Sequence, residues 1–333
     1  MLSYIARRIF YMIVILFALS IVAFIIIQLP PGDYLSTLLA NLEARGIHVD
    51  EKQFRALERR YGLDLPLYGQ YLKWIGNMLK GDFGRSFSYN MQVSTLFAER
   101  LPLTITVSIF SLLFVYIVSI PIGIYSATHQ YSAGDYAFTV VGFAGLATPN
   151  FLLALILMLL LNKYFGISPG GLFSPEYQVA PWSLGKIWDM IKHLPIPIIV
   201  IGTAGTAGLI RVMRGCLLDE LGKQYVTTAR AKGVSERTLL FKYPVRLSIN
   251  PIASTLGWVL PGIVSGETIT AIVLSLPTIG PLLYTALIGQ DMYLAGSTVL
   301  ILAFLTVIGT LLSDILLVWV DPRIRYEKKG ASR

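Results

Sequence analysis

From Ile9 to Leu29 the chain runs 21 residues without a charged side chain. At about 1.5 Å per residue, a helix of that length covers the roughly 30 Å hydrocarbon core of a bilayer. Backbone polar groups in lipid must be satisfied internally, and a helix does this within one segment. Further apolar runs lie at Leu101–Ala127, Tyr136–Asn162, Leu194–Ile210, Asn250–Gly266 and Ala295–Val320. Only 14% of the residues are charged, against about 25% in soluble domains. The expected fold is an all-α membrane protein with six transmembrane helices.

Charge orients the spans. Arg7 and Arg8 precede the first span, and Arg323, Arg325, Lys328 and Lys329 follow the last. Residues 1–8 and 321–333 are therefore expected in the cytoplasm. The net charge of +8 lies largely in short loops beside apolar runs, a topology signal rather than a nucleic-acid footprint. The turn His129–Asp135 is the weak point, because it must lie inside yet carries no Lys or Arg. A cleaved signal peptide is the competing reading of residues 9–29. The run exceeds the usual 7–15 residues, and Gln28-Leu29-Pro30-Pro31-Gly32-Asp33 offers no small-residue cleavage site.

Residues 30–100 form a long polar segment whose nine basic and eight acidic residues nearly cancel. Segments of this length cross largely regardless of charge, so it is placed outside. Helices are expected at Glu51–Tyr61 and Leu67–Leu79, the second with Tyr71, Trp74, Ile75, Met78 and Leu79 near one face. The third span is broken by Thr148-Pro149-Asn150, a kink that either lines a path or serves packing. Gly202, Gly205 and Gly208 in the fourth span offer small-residue surfaces, for helix packing or for a hinge. Glu267 is read as interfacial, with an intramembrane site as the alternative. Thr268–Gln290, with Pro277 and Pro281, reads as re-entrant or interfacial rather than a full span.

The one long charged stretch between spans is Asp219–Pro251, which makes up most of a cytoplasmic loop at 211–250. Leu221–Ala231 reads as a helix ended by Gly233 in the left-handed conformation. Ser235 is a candidate N-cap, Glu236 suits a first turn, and Glu236–Arg246 reads as the next helix. The plain reading is a topogenic inner loop. The sharper one is a helix–elbow–helix presented for a partner to grip.

Several chemistries are disfavoured. Cys216 is alone, and His48, His129 and His193 are scattered, so neither an intrachain disulfide nor a metal cluster is expected. Gly166–Gly170 formally matches G-x-S-x-G but lacks the strand–turn–helix context a nucleophile needs. No G-x-x-x-x-G-K-[ST] loop occurs, since Gly185-Lys186 and Gly222-Lys223 lack the upstream glycine and the following hydroxyl.

The stretch Tyr225–Arg246 resembles the cytoplasmic loop of permease subunits of ATP-binding-cassette importers, in the dipeptide/oligopeptide/nickel branch. Tyr225, Thr228, Ala229, Arg230, Ala231, Lys232, Gly233, Ser235, Glu236 and Arg237 match that pattern position by position, with Val234 inside it. The broader importer pattern places Glu-Ala-Ala before the glycine, where Thr227-Thr228-Ala229 stands here. Leu67–Phe87, Thr278–Ala295 and the ending Asp321–Arg325 are similar to the same branch, so the resemblance covers nearly the whole chain.

It implies a type I importer permease fold with a helical extracytoplasmic segment between spans 1 and 2. Tyr225 and Thr228–Glu236 would form the ATPase-coupling element. The implied partners are a second homologous permease subunit, two ATPase subunits or domains, and an extracytoplasmic substrate-binding protein. ATP and Mg would be held by the ATPase subunits, with no cofactor on this chain and no nucleic-acid partner. The implied setting is a prokaryotic inner or plasma membrane, multi-pass, both termini cytoplasmic. Peptides and oligosaccharides are the expected cargo classes, with nickel behind them and the path-lining residues open. The alternatives are an ATP-independent secondary transporter or channel, and an intramembrane enzyme. The first needs embedded coupling charges, and the spans offer little beyond Asp314 and Glu267. The second needs a convergent nucleophile or metal set, and none is apparent.

Overall fold

A computed structural model describes residues 2–28, 55–56, 59, 64–86, 88–166, 170–266, 268–289 and 291–320. Most of the expected helix at Glu51–Tyr61, the centre of Gly166–Gly170, Glu267 and the ending from Asp321 lie outside them. The chain divides into two units, one of residues 1–5, 105–276 and 308–333, the other of residues 6–104 and 277–307.

In the second unit, α1 spans Leu2–Gln28 and α2 spans Leu67–Leu79. Pro66 fixes the start of α2 in extended geometry, and Lys80 ends it. Trp74 and Met78 are buried with Ala23 of α1, and Tyr71 and Ile75 pack on them. The Tyr71 hydroxyl lies 2.7 Å from Ser20 Oγ. This is the face read from the sequence, except that Leu79, at the last turn, is 84% exposed. A two-stranded hairpin follows, β1 (Arg85–Ser86) against β2 (Met91–Gln92), antiparallel, with Arg85 opposite Gln92. Asn90 takes φ +53° in its turn, and Arg85 Nη2 donates to Asn90 O at 2.8 Å.

The long helix α3 covers Val93–Thr128, α13 covers Ile279–Ile288 and α14 covers Met292–Val320. Val93, Leu96 and Phe97 of α3 share a core with Ile279, Leu282 and Ala286 of α13 and with Leu294 and Ala295 of α14. Asp291 fixes the start of α14. Its carboxylate accepts from the Leu294 amide at 3.3 Å, the Ser88 amide at 3.1 Å and the Ser86 hydroxyl, tying the hairpin to that helix.

In the first unit, α4 (Ala133–Ala147) and α5 (Asn150–Phe165) meet at 105° across Thr148-Pro149. Proline removes one amide from the ladder. Thr148 Oγ1 donates to Ala144 O at 2.8 Å beside the break. Beyond α5 lie α6 (Pro175–Gln178), α7 (Leu184–His193) and α8 (Pro195–Leu221). The sequence ended the fourth span at Ile210, before two arginines. The helix instead runs through Arg211 and Arg214, and α8 packs on α3 through close glycine contacts. A Cβ on Gly123 would stand 2.5 Å from Met213 Cβ, and one on Gly202 would stand 2.5 Å from the Phe114 ring. Val115, Ala127, Leu209, Met213, Leu217, Val245 and Ile252 form the core there.

The remaining helices are α9 (Gln224–Ala231), α10 (Glu236–Lys242), α11 (Pro244–Gly266) and α12 (Thr268–Val273). Leu221 belongs to α8 rather than to the next helix, because Gly222 caps α8. The helix from Glu236 stops at Lys242 rather than Arg246, because Pro244 opens a new one. Within Thr268–Gln290, the described residues 268–289 are a short helix, a turn with Ser275 at φ +53° and another short helix, not a full span.

The described chain is mostly helical. Four of its helices are long and apolar enough to cross a membrane, or five if α4 and α5 make one bent span.

Candidate functional site: a helix–elbow–helix surface

The segment between α8 and α11 is built on two buried anchors. Val226 of α9 is 1% exposed and Leu239 of α10 is fully buried. Leu240 and Leu221 pack on the Leu209–Met213–Leu217 core. Between these anchors nearly everything else faces out. Thr227, Thr228, Arg230, Ala231, Lys232, Gly233, Ser235, Glu236 and Arg237 are exposed, and Tyr225, Ala229 and Val234 are half-buried.

The elbow is set by backbone geometry. Lys232 caps α9, and Gly233 follows at φ +77°. The Gly233 amide donates to Arg230 O at 3.0 Å, and the Val234 amide to Ala229 O at 3.3 Å. These are the two bonds of a Schellman motif, which needs a left-handed residue at its turn. Glycine is there for its backbone alone, since an added Cβ would meet no atom within 4 Å.

An ion pair closes the elbow from outside. Arg230 Nε donates to Glu236 Oε1 at 2.5 Å and Arg230 Nη2 to Glu236 Oε2 at 3.0 Å. This bidentate fork joins the end of α9 to the start of α10. The Arg230 hydrogen bond holds the Glu236 carboxyl below its usual range, and Glu236 raises Arg230 in return. Ser235 occupies the N-cap position with extended ψ but makes no capping bond. Its hydroxyl donates to Thr238 Oγ1 at 2.9 Å instead.

Tyr225 fixes the other end. Its hydroxyl donates to Glu220 Oε2 at 2.6 Å, bracing α9 against the last turn of α8. Burial, then the Glu220 carboxylate, push the Tyr225 phenol up. All ten residues singled out in the sequence thus fall in one continuous stretch around the elbow. Glu220 and Val226 escaped the sequence reading. Glu220 lies five residues before Tyr225, across the Gly222 break. Val226 is one apolar residue in a polar octet, and its burial depends on tertiary packing.

A second charged contact lies in the same unit. Asp135, 4% exposed, accepts from Arg214 Nη2 at 3.0 Å and from the Tyr131 amide at 3.1 Å. Arg211 stacks on Phe143 at 4.9 Å. These side chains line a cleft of about 390 Å³ between α4 and α8. The turn that lacked its own basic residues thus borrows Arg214 from α8. Among the described residues no group of three or more His, Cys, Asp or Glu is placed to hold a metal.

Residues 119–326 match the family described as binding-protein-dependent transport system inner membrane component, and residues 1–108 match its N-terminal companion. The oligopeptide transport system permease protein AppB of Bacillus subtilis is 37% identical over 98% of this chain and 100% of its own. The di/tripeptide transport system permease protein DppB of Pseudomonas aeruginosa is 31% identical, covering 98% and 100%. The oligopeptide transport system permease protein OppB of Haemophilus influenzae is 30% identical, again covering 98% and 100%.

Proposed function

This chain belongs to the inner membrane components of binding-protein-dependent transport systems, and we propose that it imports peptides, driven through the elbow at Gly233. It is the permease subunit of an ATP-driven importer and a multi-pass membrane protein. Peptide is favoured over oligosaccharide as cargo because the relatives matched end to end are named for oligopeptides and di- or tripeptides.

The finer reading has six spans. The bent α4–α5 pair counts as one, and the 23-residue α11 joins α1, α3, α8 and α14. Both termini and the elbow then share the cytoplasmic side, and residues 30–100 lie outside. A second, related permease completes the path. ATPase subunits holding ATP and Mg grip Tyr225 and Thr228–Glu236, and an external binding protein delivers peptide.

The observation that carries the coupling role is the combination at the elbow. A Schellman turn and a bidentate ion pair brace the outward surface, while Leu221 and Leu240, on either side of it, pack on the core that holds α3, α8 and α11. A push on such a surface moves helices rather than bending a loop. Closure of an ATPase dimer would tilt the attached spans and open the path outward, and hydrolysis would return them.

The test is reconstitution of this chain with its neighbouring permease, ATPases and binding protein in proteoliposomes. ATP hydrolysis is expected to rise with peptide-loaded binding protein and not with the oligosaccharide-loaded form. Absence of any ATPase association would overturn the importer reading. Stimulation by oligosaccharide alone would overturn the cargo.

A further inference from the structure

Helix α7 is inside out by the standards of a soluble protein. Leu184, Ile187, Trp188 and Ile191 follow the i, i+3, i+4, i+7 spacing of one helix face. That face points away from the protein, with exposures of 86, 40, 60 and 46%. The opposite face carries Lys186 and Asp189, and both are buried.

The inversion is built, because each buried charge has a dedicated set of partners. Lys186 Nζ donates to Ala180 O at 2.6 Å and lies over the rings of Phe173 and Trp182, at 4.9 and 5.4 Å. Asp189 accepts from the Ser174 amide and hydroxyl, both at 2.7 Å. Ser183 Oγ caps the helix by accepting from the Lys186 amide at 3.2 Å. The segment is pinned below by the Gly171 amide, which donates to Leu274 O at 2.7 Å. Burying two charges costs several kcal/mol per ion unless they are well paired. Here that desolvation serves to hold an apolar stripe outward.

Two features identify what covers the stripe. Leu194 joins α7 directly to α8, which is long and apolar enough to cross the membrane, so the stripe adjoins the end of a candidate span. The exposed side chains are also of interfacial type. Trp182 and Trp188 are both more than half exposed, and Lys192 sits 5.9 Å over the Trp188 ring. Aromatic rings with a basic neighbour and an apolar stripe favour the headgroup–acyl boundary.

We infer that α7 lies in the extracytoplasmic interface of the bilayer, with Leu184, Ile187, Trp188 and Ile191 seated among phospholipid acyl chains, as an anchor fixing the height of α8. The side assigned to it rests on the topology proposed above. The substrate-binding protein and a second permease subunit are the competing occupants of this face.

Single cysteines decide between them, placed in a Cys216→Ser background and carrying a polarity-sensitive fluorophore. The positions are Leu184→Cys, Trp188→Cys and Ile191→Cys, with Phe17→Cys in α1 as a lipid control and the exposed Asp82→Cys, in the extracytoplasmic segment, as a water control. The assembled complex is reconstituted in vesicles of phosphatidylethanolamine and phosphatidylglycerol. The three α7 positions are expected to lose most of their fluorescence to lipid spin-labelled near the headgroup and little to aqueous iodide. Iodide quenching without lipid quenching would overturn the inference. So would shielding from both quenchers that appears only when binding protein is added, or that disappears when the second permease is omitted. Phe17→Cys must be quenched by lipid spin-labelled near the chain end. Failure there would sink the membrane reading itself, whereas its success alongside failure at α7 removes only the anchor.

Discussion

Gly233 and the Arg230–Glu236 fork carry the finest detail of the account. The glycine holds φ +77°, a region that costs a non-glycine residue about 1–2 kcal/mol. The fork is fully solvent-facing, so its worth is geometric rather than energetic. Because the folded Glu236 carboxyl titrates below its ordinary value, the fork's contribution is present above that ordinary value. It is lost only as pH falls through the depressed one, so coupling should be flat across neutral pH. Arg230→Ala is expected to lower peptide uptake per ATP hydrolysed without lowering expression. The double exchange Arg230→Glu with Glu236→Arg should restore much of the loss, if the pair acts by holding the elbow. Failure of the exchange to restore any uptake, with assembly intact, would show that Arg230 or Glu236 is read individually by the partner.

Among the elements, the packing of α8 on α3 separates glycines that resemble each other in sequence. A Cβ at Gly123 would meet Met213 Cβ at 2.5 Å and Ile210 O at 3.2 Å, whereas one at Gly208 meets nothing within 4 Å. Gly123→Ala is therefore expected to destabilise by about 1–3 kcal/mol through overpacking. Gly208→Ala should be neutral or slightly stabilising, because alanine is the better helix former. Thermal unfolding of the purified complex checks the pair, and equal effects would contradict this packing. Gly202, Gly205 and Gly208 form one small-residue row in sequence, yet only the first two are pressed against α3, by Phe114 and Val115.

The same contrast shows what could be read in advance. The bounds of α2 were legible because Pro66 and Lys80-Gly81 punctuate a clean helical period. Gly233 was legible because a glycine follows a helical octet and precedes a Ser-Glu start. The end of α8 was not, because Arg211 and Arg214 look like the edge of a span. One stacks on Phe143 and the other pairs with Asp135, 79 residues away in sequence, and no local pattern announces such partners. The inverted polarity of α7 was equally hidden. Its periodicity is plain, but which face turns inward depends on Ser174 and Ala180 being folded beneath it.

At the scale of the whole molecule, the chain is a permease subunit, and the proposal is that the work of transport reaches it through its surface. In the proposed coupling, the braced elbow receives that work, and the packing of Leu221 and Leu240 on the core passes it to the spans. The most direct measurement is peptide uptake per ATP hydrolysed in proteoliposomes carrying Gly233→Glu in the assembled transporter. The side chain projects into open space within this chain, so the subunit should fold and assemble at least in part, while the docked surface is disturbed. The account predicts continued ATP hydrolysis with uptake largely lost. Uptake at the unsubstituted level would contradict it and remove the elbow from the coupling path.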